Sequence, residues 1–207
     1  MTQKTVGIFI FNEVEVLDFC GPFEVFSMAN EVSHQSEFTP FRVVLVAAEQ
    51  KMVTTVGGMK VQPHCTFEDC PKLDILLAPG GIGTRTALAD LKVIAWIQAQ
   101  AKSVELLTSV CTGSLVLAAA RLLDGHHATT HWMLLGLLRE KFPQVLVEDQ
   151  QHVVKDGDVW TSAGVSAGID LALHVVAKFS GEQIARETAR RMEYPYPETN
   201  QRRVAIA

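Results

Sequence analysis

The sequence predicts an α/β fold in which a mostly parallel sheet is covered on both faces by helices. Three observations predict it. Short apolar runs of strand length, at 6–11, 41–48 and 105–110, alternate with stretches of helical periodicity, and near-continuous apolarity marks strands buried on both faces. Glycine and proline punctuate the boundaries between these runs. In Thr108-Ser-Val110-Cys111-Thr112-Gly113 a strand passes into a helix with no loop between them, the layout of a nucleophile elbow.

Residues 6–11 form the first predicted strand and 19–31 the first helix, opened by Gly21-Pro22 because proline suits a helix's first turn. The second strand is 41–48, and segments 52–55 and 59–62 flank Gly57-Gly58 as a hairpin. Residues 74–81 run from a strand into a glycine loop, ahead of a helix over 89–102 and the strand of the elbow. Asp124-Gly125 supplies the stop for the elbow helix. A short strand at 128–130, a helix over 132–141 and a strand at 145–148 follow. Asp156-Gly157 reads as the two-residue turn of a hairpin across 153–161. The last two helices are 166–179, ended by Gly181, and 182–192, ended before Pro195. No repeat or linker interrupts this order, and 207 residues suit a single domain over 1–207.

Composition narrows the function classes. An apolar content of 48% with a positive mean hydropathy describes a chain with a large core, not a disordered one. A net charge of −5, with arginines paired only at 190–191 and 202–203, offers no footing for nucleic acid. No apolar stretch approaches the roughly twenty residues that cross a bilayer, and the first residues lack the layout of a signal peptide. The expected setting is therefore cytoplasmic, with no membrane partner. Cys20, Cys65, Cys70 and Cys111 suit a reducing compartment better than a disulfide framework. Cys65 and Cys70 lack the second pair or histidine couplet of a zinc site, so no metal is expected.

Cys111 carries the strongest chemical signal. On a sharp strand-to-helix turn its sulfur is expected above the carboxyl edge of the sheet, beside free helix N–H groups. Those groups should make the thiol more acidic than a free one. The competing reading is a small apolar core cysteine. A thiolate nucleophile needs a proton-handling partner and donors for charge that develops on its target. Asp18, just past the first strand among apolar neighbours, would reach the same sheet edge with a raised pKa and could donate a proton. It could also cap the helix after Gly21. Gly80 and Gly81 let main-chain N–H groups approach a ligand closely, and with the N–H of Thr112 could form an anion-stabilising pocket. Their loop lacks the fuller glycine pattern of a phosphate site. His131, ahead of Trp132, is either a base for Cys111 or a cap for the next helix. The other histidines, His34, His64, His126, His127, His152 and His174, show no ligand spacing and read mostly as surface residues. Asp170 falls in a helix first turn, where a carboxylate favours the dipole.

With these pieces in hand, the chain resembles the ThiJ/PfpI family of the class I glutamine amidotransferase-like superfamily. The resemblance is carried, across nearly the whole chain, by Val16-Leu-Asp18-Phe-Cys-Gly-Pro22-Phe-Glu24, Ala78-Pro-Gly-Gly81, Ser109-Val-Cys111-Thr-Gly113, Ala128-Thr-Thr-His-Trp132 and Ser166-Ala-Gly-Ile-Asp170. It is greatest to the branch that holds isonitrile hydratases and the amidase-like sensor domains of AraC-family regulators. That resemblance implies a flavodoxin-like three-layer sandwich and a homodimer that uses no cofactor on a small-molecule substrate. It also implies a hydro-lyase in which Cys111 attacks the terminal carbon of an isocyanide to give a covalent thioimidate. Asp18 would handle the proton and then direct water, Thr112 would contribute its N–H beside the sulfur, and the product would be an N-substituted formamide. Family peptidases carry a histidine directly after the cysteine, so Thr112 speaks against peptidase activity. The regulator reading expects a DNA-binding extension, whereas the sequence ends shortly after Pro197. The alternatives are another cysteine-dependent hydrolase, a glyoxalase or a deglycase of the same fold, and a non-enzymatic thiol redox sensor or chaperone-like protein.

Overall fold

The computed structural model describes residues 2–33 and 39–206. The chain opens with β1 (Lys4–Phe9), α1 (Val16–Ser33) and β2 (Phe41–Ala47). A hairpin of β3 (Val53–Thr54) and β4 (Lys60–Val61) turns, as expected, at Gly57 and Gly58, whose φ angles of 83° and 87° suit glycine. A short strand, β5 (Cys65–Thr66), precedes β6 (Ile75–Ala78). One turn of helix, α2 (Thr84–Ala87), leads to α3 (Leu91–Ala101), whose N-terminus is capped by Asp90 accepting from the Lys92 N–H at 2.8 Å. Next come β7 (Leu106–Val110), α4 (Gly113–Ala119), β8 (His127–Ala128), α5 (Leu135–Lys141) and β9 (Leu146–Val147). The hairpin β10 (Val153–Asp156) and β11 (Val159–Ser162) is followed by α6 (Ala167–Ser180) and α7 (Glu182–Arg191).

The fold is the expected α/β, flavodoxin-like arrangement. Seven strands form one sheet in the order β10-β11-β7-β6-β1-β2-β5, parallel throughout except for β10. Strand alternation builds a core on each face. Val6 and Ile8, Leu45 and Ala47, and Ile75 and Leu77 meet Val25 and Phe26 of α1, Leu171 of α6 and Ala185 of α7. Phe9, Val44, Val46 and Leu76 point the other way, onto Trp96 and Ile97 of α3, Val116 of α4 and Leu138 of α5. Parallel strands place all their carboxyl ends on one edge, where the loops after β1, β6, β7 and β11 converge. Among the described residues, no helix is long and apolar enough to cross a membrane.

Several local expectations shift. Helix α1 starts at Val16, so Pro22 lies inside it rather than in its first turn. Asp18 is consequently a helical residue, not a cap, because its carboxylate is drawn to the Gly80 N–H across the sheet edge. Helix α4 stops before Asp124-Gly125: Arg121 takes the left-handed position at φ 63°, with its N–H on Ala118 O and the Leu122 N–H on Leu117 O at 3.0 Å. In the second hairpin Asp156 pairs with Val159, so the turn residues are Gly157 and Asp158, one position later than expected. The short strands β8 and β9 pair in parallel with each other, outside the main sheet.

Two of the histidines depart from the mostly-surface reading, His152 buried and His174 half-buried. His152 is buried, with Nε2 3.2 Å from Oδ2 of Asp170. Asp170, 1% exposed, also accepts from the Tyr194 hydroxyl at 2.8 Å and lies 2.6 Å from the Arg203 guanidinium. Burial favours its neutral form, yet His152, Tyr194 and Arg203 outweigh it and hold the carboxyl below its usual range. Burial, reinforced by Lys155, pushes His174 down to about 4 and keeps it neutral. His34 lies outside the described residues.

The segment around Arg203 is fastened elsewhere too. Asn200 accepts from the Val153 N–H at 2.8 Å and donates to the Val153 carbonyl at 2.6 Å, occupying the free edge of β10. Arg202 donates to Asp149 O at 2.8 Å and Thr130 O at 3.2 Å, bracing the backbone behind the site described next.

Candidate active site

Cys111 sits at the end of β7 with φ 55°, a left-handed conformation that costs a non-glycine residue about 1 kcal/mol or more. Neighbouring groups hold it there. Its N–H donates to Ala163 O at 3.1 Å, and its carbonyl accepts from the hydroxyls of Thr130 at 2.9 Å and Ser114 at 3.1 Å. Glycine is required at 113, since a Cβ there would lie 1.9 Å from Ala78 O. The elbow expected from sequence is therefore present. Its sulfur, however, is not openly exposed: Cys111 is 6% exposed, at the floor of a cavity.

Asp18 meets Cys111 from the first turns of α1 and is fully buried. One carboxyl oxygen accepts from the Gly80 N–H at 2.8 Å, while Oδ1 has no hydrogen-bond partner of ordinary geometry among the described residues. The Cys111 thiol and the Val165 N–H lie beside the same carboxyl. Burial, helped by the charge of Glu15, raises its pKa to about 7 against the pull of these donors. The raised value expected from its apolar surroundings is what the structure holds.

The acidic thiol expected at Cys111 is overturned. Burial first, and then the neighbouring Asp18 charge, push it up to about 12. The N–H groups of Thr112 and Val165 and the Thr112 hydroxyl favour the thiolate without prevailing. Near neutral pH the pair therefore keeps its thiol proton while Asp18 is close to half-protonated, and the two titrate as one unit.

The predicted anion pocket is also rearranged. The Gly80 N–H goes to Asp18, and the Gly81 N–H donates to the Thr112 hydroxyl at 3.0 Å. These N–H groups orient the reactive side chains instead of standing free for a ligand. Thr112 is further tied to Thr84, whose hydroxyl is 3.3 Å away. The donor that sequence reading missed is Val165, just past β11, whose N–H approaches both Cys111 and Asp18. It too is left-handed, with φ 53°, a rare state for a β-branched residue that no local pattern announces. At Gly80 a Cβ would lie 2.6 Å from Thr112 N and 2.7 Å from Asp18 Oδ2. Gly80→Ala should therefore lower turnover about 100-fold by displacing both groups and destabilise by roughly 1–3 kcal/mol, read from initial rates and thermal melts.

His131 serves as a cap. Its Nδ1 accepts from the Met133 N–H at 3.3 Å, opening the 3₁₀ turn Trp132–Leu134 that precedes α5. Burial, with Arg202 nearby, lowers its pKa and keeps the ring neutral. It shares with Cys111 and Thr112 a cavity of about 330 Å³, walled mainly by Ile82, Leu88, Leu115, Met133, Leu134 and Leu137, with Glu15 and Arg85 also on its lining. No hydrogen bond joins it to the sulfur among the described residues, where no cluster of histidine, cysteine or carboxylate groups is placed to hold a metal either.

Known proteins resemble the chain in sequence and fold. Residues 4–178 match the profile of the DJ-1/PfpI family. The isonitrile hydratase of Pseudomonas putida is 38% identical over 189 residues, covering 91% of this chain and 78% of that one. The HTH-type transcriptional regulator GbdR of Pseudomonas aeruginosa is 26% identical over 88% of this chain and 48% of its own length, so the chain spans about half of that regulator. Among solved structures, a ThiJ/PfpI family protein from Pseudomonas syringae has a TM-score of 0.84 and 32% identity, covering 97% of this chain and 79% of the other. Drosophila melanogaster DJ-1beta, at 20% identity, shares the fold with a TM-score of 0.81, covering 94% and 100%.

Proposed function

The chain belongs to the DJ-1/PfpI family, and from that premise we propose that it is an isonitrile hydratase, a hydro-lyase turning an isocyanide and water into an N-substituted formamide. The observation that carries the reading is the buried Asp18–Cys111 pair beneath an apolar cavity. The terminal carbon of an isocyanide must gain a proton as it gains the sulfur. The Asp18 carboxylate accepts the thiol proton while Sγ bonds to that carbon, then returns the proton to the same carbon. The product of this step is a thioimidate, with nitrogen doubly bonded to a carbon that bears one hydrogen and the sulfur.

Water then adds to the thioimidate carbon with Asp18 as base, and the proton passes to nitrogen. Collapse of the adduct breaks the carbon–sulfur bond, releases the formamide and returns the proton to Cys111. A carboxyl near 7 can serve as both acid and base at neutral pH. The N–H groups of Thr112 and Val165 steady the charge on sulfur at attack and release. Gly80 and Gly81 hold Asp18 and Thr112 in place, and neutral His131 forms part of the wall.

The apolar walls select a substrate with an alkyl or aryl group. The proposed setting is the cytoplasm and the proposed assembly a homodimer, in keeping with the family resemblance. Cyclohexyl and phenyl isocyanides supplied to the purified, reduced protein should yield their formamides, followed by loss of the isocyanide infrared band and by NMR of the product. Absence of turnover across a range of alkyl and aryl isocyanides overturns the assignment.

A further inference from the structure

Cys65 and Cys70 stand apart from this chemistry. Cys65 belongs to β5, the edge strand, where it pairs with Val46 of β2. Strands β6, β1 and β2 separate β5 from the strand that carries Cys111. After Thr66 the chain reverses, and Asp69 closes the turn by accepting from both the N–H and the hydroxyl of Thr66 at 2.6 Å. The reversal brings Cys70 back toward Cys65, so that it packs against the same buried apolar cluster that holds Cys65, and each thiol acts on the other. Two cysteines that flank a turn this short and pack into one cluster are within reach of the short Cα separation that a disulfide needs.

The surroundings favour pairing by proximity. Cys65 is buried, whereas Cys70 is half-buried and its thiol donates to Pro71 O at 3.4 Å. Burial raises the pKa of both, so neither is a fast target for peroxide. The turn nonetheless supplies each sulfur with a partner at high effective concentration.

We propose that Cys65 and Cys70 are a second thiol site, independent of Cys111, that closes to a reversible disulfide with a small-molecule disulfide of the glutathione class as oxidant. Cys70, the more accessible sulfur, loses its proton and attacks one sulfur of the oxidant, releasing the first small thiol. Cys65, deprotonated in turn, attacks Sγ of Cys70 in the mixed disulfide and releases the second. The two cysteines lose two electrons and two protons, and the oxidant gains them to become two thiols. The bridge locks the turn that carries Phe67, whose ring stacks on Trp96 of α3 at 4.3 Å.

The test equilibrates the full chain, and its Cys111→Ser and Cys65→Ser variants, with reduced and oxidised glutathione, followed by acid quenching, alkylation and peptide mapping. The expected result is a 65–70 bridge in the folded wild type and in Cys111→Ser, with Cys20 unbridged. Cys65→Ser should retain glutathione on Cys70. Alkylation of both residues at every glutathione ratio overturns the proposal. So does a bridge that forms only after unfolding in urea, or one that joins Cys20 or Cys111. Because the readout is covalent mapping, it is independent of isocyanide turnover.

Discussion

Cys111→Ala protein is expected to make formamide roughly 10⁴-fold more slowly than wild type, or slower still, while remaining folded. The size of the loss follows from the covalent route, because without Sγ the isocyanide carbon has no nucleophile and Asp18 has no thiol proton to relay. The fold should survive because the elbow is held by main-chain bonds to Ala163, Thr130 and Ser114 that alanine keeps. Cys111→Ser should be as inactive as the alanine variant, since a buried hydroxyl is a harder and less acidic nucleophile. Rapid quenching and intact-mass measurement complete the test: wild type should carry an adduct equal to one isocyanide, and Cys111→Ala none. Formamide production at an undiminished rate in Cys111→Ala would place the chemistry elsewhere.

Asp18→Asn should lose turnover by about 10²- to 10⁴-fold and yet gain stability in alkali. The carboxyl rises from 3.8 to about 7 on folding. Its contribution to stability is therefore full below about pH 4 and is lost as pH climbs from there through about 7. Above that point the native state encloses an anion in a desolvated site. Asparagine accepts from the Gly80 N–H without that charge, so the variant should exceed wild type by up to about 3 kcal/mol at pH 8, with the difference gone near pH 4. Chemical denaturation at both pH values measures it. Wild-type kcat/KM should rise through about pH 7 as Asp18 becomes able to accept the thiol proton, and the residual rate of Asp18→Asn should not follow that curve. A variant destabilised at pH 8 with turnover retained would make Asp18 a structural residue.

The legible parts of this chain were those written in local pattern. Residues 106–110 have five buried positions in succession, and the absence of any loop before Gly113 left only a sharp turn for Cys111. Asp18, Thr112 and the Pro-Gly-Gly loop could be placed at one edge because parallel strands put their carboxyl ends together. What stayed hidden depends on distant residues. The acidity of Cys111 is not legible locally, because helix N–H groups are visible in sequence, whereas burial and the approach of Asp18 arise from packing. Val165 offers only its backbone, and main-chain φ at a valine leaves no trace in residue type. His152 and Asp170 find Tyr194 and Arg203 only after the last segment folds back. A strand as short as β5 has too few residues to show alternation.

A thiol that keeps its proton at the floor of a partly open, largely apolar cavity has a further consequence, for the company the protein can keep. Alkylating agents, quinones and peroxides react fastest with thiolate that is already formed, and burial leaves little of it at neutral pH. Cys111 should therefore react with them slowly. In the proposed reaction an isocyanide carbon receives both the sulfur and, through Asp18, the proton, so the attack leaves no new charge buried. On that route the nucleophile is created only as substrate reacts, and it should escape much of the consumption that a standing thiolate would suffer.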